Sequence, residues 1–111
     1  MIVEMREYTL HAGKVPEYLQ LYEREGLSIQ REILGHMVGY YTTEVGPAVN
    51  QIVHLWAYES LADYEARSRA RDAHPDFPAY LQASAHLITA QETRLIRAAD
   101  LPSARSLMPR R

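Results

Sequence analysis

Two short stretches set ionisable and aromatic side chains at every second position. Glu4, Arg6 and Tyr8 alternate within MIVEMREYTL, and His54, Trp56 and Tyr58 alternate within QIVHLWAYES. In an extended chain each trio shares one face of a strand. His54 is the candidate general acid or base, because imidazole titrates near neutrality. Arg6 and Tyr8 are the groups able to hold a developing anion. Trp56 and Tyr58 supply flat apolar walls, and Glu4 stands two residues from Arg6, within ion-pair reach. Together the six have the make-up of a small-molecule pocket, with His54 catalytic and Glu4, Arg6, Tyr8, Trp56 and Tyr58 binding the ligand. A structural reading of the same residues is a buried Glu4–Arg6 network that fixes packing, with His54 bonded to Glu4, Glu44 or a tyrosine. No nucleophile stands beside His54 in the sequence.

Other chemistries find little support. His11, His36, His54, His74 and His86 are scattered and cysteine is absent, so no metal site is expected. There is no glycine-rich phosphate loop, and no cofactor is expected. Arg67, Arg69 and Arg71 fan out around a helix and read as a solvated basic face. Twelve basic against fourteen acidic residues leave a formal charge of -2, a poor footprint for nucleic acid. No window is long and apolar enough for a membrane span, and the N-terminus lacks the pattern of a signal peptide, so a cytoplasmic location is expected.

The elements that must position these residues follow from periodicity. Residues 1–10 read as a strand, broken by Gly13. Pro16 then opens a helix whose apolar side is Val15, Tyr18, Leu19, Tyr22, Ile29 and Ile33, ended by Gly35. Gly26 within it suggests a close approach to the sheet. Residues 36–45 and 51–60 read as a hairpin turned at Gly46-Pro47. Ser60 and Asp63 cap a helix with a thin apolar side of Leu61, Tyr64 and Ser68. Pro75 and Pro78 bracket a break, and Phe77, Tyr80, Leu81, Ser84, Leu87 and Ile88 resume helical spacing. Residues 90–98 form the last strand.

The 111 residues, 47% apolar and 23% charged, suit one globular domain at 1–100, with an aperiodic tail at 101–111. The order βαββαβ predicts an α+β, ferredoxin-like fold, a four-stranded antiparallel sheet with its helices on one face. Val3, Met5, Val53 and Leu55 are expected to meet those helices, forming the core with Tyr22, Ile33 and Leu81. The aromatic face is then bare, and a second copy of the chain is expected to cover it, giving a homodimer with a cavity between the sheets.

The runs VEMREYTLHAGKVPEY, VGYYTTEVGPAVNQIVHLWAYESLADY and HPDFPAYL resemble the NIPSNAP family, within the dimeric α/β-barrel superfamily. The similarity extends over nearly the whole chain up to Asp100. It implies a homodimer with a central pocket and carries no agreed reaction. Three function classes follow. One is a module that binds a small organic ligand in the barrel cavity. Another is a cofactor-free isomerase, lyase or monooxygenase acting on an activated carbon acid, with His54 as base and Arg6 or Tyr8 holding the anion. The third is an interaction protein whose barrel is purely structural.

Overall fold

Alternation in the first ten residues produces strand β1 (Ile2–Leu10), the element on which the fold is organised. The computed structural model describes residues 1–102, so most of the tail expected at 101–111 lies outside the described residues. β1 is followed by helix α1 (Val15–Leu21), a π-helical turn at Tyr22–Gly26, and helix α2 (Leu27–Leu34). Strands β2 (His36–Thr42) and β3 (Gln51–Tyr58) come next, then helices α3 (Leu61–Asp72) and α4 (Phe77–Ala85) and strand β4 (Ile88–Arg97). The sheet order is β2-β3-β1-β4, antiparallel throughout, which is the ferredoxin-like α+β fold.

The helix boundaries have local causes. Pro16 sits in the first turn of α1, and Gly35 ends α2 at φ 89°, a conformation that disfavours a β-carbon. At α3, Ser60 Oγ accepts from the Asp63 amide at 3.0 Å, while the Asp63 carboxylate accepts from the Glu59 amide at 3.0 Å. α3 buries no residue, in keeping with its thin apolar side.

Two sequence expectations are corrected. Gly26 does not approach the sheet: a β-carbon there would lie 2.8 Å from the Tyr80 ring and 2.9 Å from the Tyr22 ring, so the close neighbour is α4. β2 stops at Thr42 and not Val45, because the chain leaves the sheet for the loop around Gly46-Pro47. That loop is closed by the Thr43 amide donating to the Gln51 carbonyl at 3.2 Å.

The larger correction concerns the sheet faces. Ile2, Glu4, Tyr8 and Leu10 on β1, with Ile52, His54, Trp56 and Tyr58 on β3, are buried, and their faces look onto the helices. Val3, Met5, Val53 and Leu55 are half-buried on the opposite face, and Leu81 is exposed. Period-two alternation states which residues share a face, but not which face the helices cover. The helices settle it with Tyr18, Tyr22, Phe77 and Tyr80, which join Tyr8 and Ile52 in one core cluster. Ile2, Leu34, Trp56 and Tyr58 form a second. Aromatic rings reaching from both layers fill the space between sheet and helices. The shorter aliphatic row is left on the open face with Tyr41, whose ring lies over Gly39.

Candidate functional site

The β1–β3 register places Glu4 opposite Trp56 and Arg6 opposite His54, all on the helix-facing side. Glu4 is fully buried, and a carboxylate there costs several kcal/mol of desolvation unless it is paired. Its two oxygens are both satisfied: Tyr58 Oη donates to Oε1 at 3.0 Å and Arg6 Nη1 donates to Oε2 at 3.2 Å. Arg6 Nε donates to Tyr8 Oη at 2.9 Å, and the guanidinium lies 5.5 Å from the Tyr8 ring centroid. Burial disfavours the Arg6 charge, but Tyr8 and Glu4 more than offset this and hold the group ionised. Burial, followed by the Glu4 charge, pushes the Tyr58 phenol well above its usual range, so it stays a neutral donor.

His54 is 1% exposed, and its partner is Trp56 instead of the expected Glu4, Glu44 or tyrosine. Trp56 Nε1 donates to His54 Nδ1 at 2.8 Å. An indole nitrogen can only donate, so Nδ1 is the acceptor and the proton of the neutral ring sits on Nε2. Burial, helped by the positive charges of Arg6 and Arg71, pushes the imidazole pKa down to about 3, so the ring is neutral at physiological pH. Tyr40 stacks on it at 4.6 Å between centroids, and Tyr8 meets it edge-on at 5.0 Å. His54 Nε2 is buried with no hydrogen-bond partner among the described residues, while the Tyr40 hydroxyl interacts with that of Tyr18.

Above this layer a cleft of about 150 Å³ opens between the sheet and the helices, with Arg6, Tyr8, Tyr18, Arg71, Phe77 and Tyr80 among its walls. Arg6 and Tyr8 line it, on the helix side of the sheet and not on the bare face where the sequence suggested a cavity between two copies. Glu4, His54, Trp56 and Tyr58 lie behind the wall as its support. Tyr18 and Tyr80 hydroxyls meet at 3.0 Å, and burial raises both phenols, which keeps them neutral.

Arg71 was missed by the sequence reading. The three arginines do fan out, but to different ends: Arg69 pairs with Glu65 at the surface. Arg67 bonds Asp63 at 2.7 Å and the Ile33 carbonyl at 3.0 Å, tying α3 to α2. Arg71 turns inward, its side chain 11% exposed, with its guanidinium 5.4 Å from the Phe77 ring centroid and Nε on Asp72 Oδ1 at 3.1 Å. The spacing of the three arginines does not mark which of them turns inward. No group of three or more histidine, aspartate or glutamate side chains suited to a metal ion occurs among the described residues. None of the described helices is long and apolar enough to cross a membrane.

Comparison with known proteins places these features in context. Residues 3–102 match the NIPSNAP family. Human Protein NipSnap homolog 3A is 32% identical over 59 residues, which is 53% of this chain and 23% of that protein. The mouse 3B homologue is 32% identical over 68 residues, 60% of this chain and 26% of that protein. The matched segment thus spans about a quarter of those relatives. Among solved structures, a NIPSNAP family protein (Atu4242) from Agrobacterium tumefaciens is 39% identical with a TM-score of 0.84, covering 92% of each chain. A NIPSNAP-like domain protein from Burkholderia xenovorans is 37% identical, TM-score 0.84, over 89% of this chain and 85% of that one. An antibiotic biosynthesis monooxygenase, 13% identical with a TM-score of 0.61 over 89% and 99%, shares the fold.

Proposed function

The chain belongs to the NIPSNAP family, and from that premise we propose that it binds a compact organic anion in the cleft between its sheet and its helices. The observation that carries this reading is the convergence of two largely buried arginines, Arg6 and Arg71, on one aromatic-walled cleft. A volume near 150 Å³ is small for a drug-sized ligand, but an apolar cavity of about that size holds a benzene ring. The fitting ligand is therefore a single-ring or short-chain carboxylic acid. Arg6 and Arg71 meet its charge, and Phe77, Tyr8 and Tyr80 enclose its body.

Two alternatives are weaker. A cofactor-free enzyme using His54 as base meets the difficulty that Nδ1 is taken by Trp56 and Nε2 already carries the proton. A purely structural barrel leaves unexplained two arginines drawn into the interlayer space, where aliphatic side chains would fill the volume without desolvation cost.

The homodimer belongs to the same proposal, with its contact moved to the opposite side of the sheet. Val3, Met5, Val53 and Leu55 make the centre of the open face apolar, while Glu7, Glu92 and Arg94 supply charges of both signs beside it. A thermal-shift screen of small organic acids, on wild type and on Arg71→Gln, tests the ligand reading. Hits that raise the wild-type melting temperature saturably, and lose most of the shift in the variant, are expected. Equal shifts in both proteins would remove Arg71 from the site, and an absence of hits would remove the site.

A further inference from the structure

The buried pair behind the cleft wall has a chemistry that the cleft alone does not use. His54 lies on a row that crosses the sheet, with Tyr40 as its β2 partner and Arg6 as its β1 partner. Its Nδ1 faces Trp56, so Nε2, on the other side of the ring, faces away from Trp56 and into the interlayer space flanked by Tyr8 and Tyr40. A buried N–H without an acceptor costs about as much as a lost hydrogen bond, and His54 Nε2 carries that cost here. The Glu4 carboxylate cannot supply the missing acceptor, because its oxygens are already engaged by Tyr58 and Arg6.

We infer that Trp56 is a positioning residue that holds His54 in its Nε2–H form, and that this N–H, with Arg6 beside it, receives a carboxylate oxygen of the ligand at the deep end of the cleft. The inference rests on the cleft reading and adds the polarity of the deep end, which admits an acceptor and rejects a donor. Tyr8 stands between Nε2 and the cleft, with its ring edge against His54 and its hydroxyl on Arg6 Nε, so this ring must swing aside as the ligand enters. The low basicity of the ring follows suit, since an imidazole that stays neutral keeps one donor and one acceptor in fixed places.

The test uses the whole chain with 15N-labelled histidine, and benzoate as probe with benzamide as its neutral counterpart. A long-range 1H–15N correlation reads which nitrogen of His54 carries the proton. Wild type is expected to show protonated Nε2 and bare Nδ1, and benzoate is expected to shift the Nε2–H signal saturably where benzamide does not. His54→Leu should bind benzoate about tenfold more weakly, as for one lost hydrogen bond to a charged acceptor. His54→Gln, whose amide can accept from Trp56 and still donate, should stay within about threefold of wild type. Trp56→Phe should move the proton partly to Nδ1. A proton on Nδ1 in wild type overturns the inference. So does Arg71-dependent benzoate binding that leaves the Nε2–H signal unmoved, in which case the cleft reading stands alone. If benzoate fails to bind at all, both fall together.

Discussion

Lowering the pH should weaken the fold through His54 in a way that one substitution can isolate. The imidazole is pushed from its ordinary 6.5 down to about 3 by burial and by the Arg6 and Arg71 charges, so below pH 6.5 the unfolded chain binds a proton that the folded chain refuses. Stability then rises with pH across the window from 3 to 6.5 and is lost as pH falls through it. Each pH unit well inside the window is worth about 1.36 kcal/mol, which reaches roughly 4 kcal/mol near pH 3.5, a large fraction of the stability of a domain this size. Other groups contribute to acid unfolding, and subtraction of His54→Gln removes them. Urea unfolding at pH 7, 6, 5 and 4 is the assay, with midpoints and slopes compared between the two proteins. Wild type should lose about 1 kcal/mol more than His54→Gln for each unit below pH 6. Parallel curves would mean that the imidazole is solvated, and the account of its surroundings would be wrong.

Removing Arg6 strips Glu4 of its charged partner, so Arg6→Met should cost about 3–5 kcal/mol in chemical unfolding at pH 7, whereas a loss under 1 kcal/mol would mean that Glu4 is not dry. Gly26→Ala gains about 1 kcal/mol of helix propensity but forces the Tyr22 and Tyr80 rings apart, for a net loss of about 1–2 kcal/mol by thermal unfolding; stabilisation would contradict the close approach. Leu55→Arg on the open sheet face should turn a dimer into a folded monomer in sedimentation, and an unchanged sedimentation coefficient would place the subunit contact elsewhere.

The order of elements was legible because each carried its own punctuation. Gly13 and Pro16 opened the first helix, Gly35 closed it, and Ser60 with Asp63 began the third. Alternation also grouped Glu4, Arg6 and Tyr8, and His54, Trp56 and Tyr58, correctly as same-face trios. What it could not give was the side on which the helices lie, since Val3, Met5, Val53 and Leu55 look as fit for a core as the aromatic set. That one inversion puts the aromatic trios between the sheet and the helices of one chain, and not on the face where a second copy was expected to meet them. The π-helical turn at Tyr22–Gly26 was equally hidden, because one extra residue in a turn leaves the apolar spacing of a helix nearly unchanged. Arg71 escaped because a run of arginines carries no mark of which member is turned inward. Trp56 was read as a wall, although its indole N–H holds His54, because the pairing of two same-face neighbours depends on rotamers and not on spacing.

The claim that the cleft binds a compact organic anion is met most directly by isothermal titration of benzoate and benzamide into wild type and Arg71→Gln. A nine-atom ligand in a cavity of this size should bind at about millimolar strength. The account predicts one benzoate per chain in wild type, at least tenfold weaker binding in Arg71→Gln, and no saturable binding of benzamide. Equal binding of benzoate and benzamide, or benzoate binding indifferent to the loss of Arg71, would contradict it.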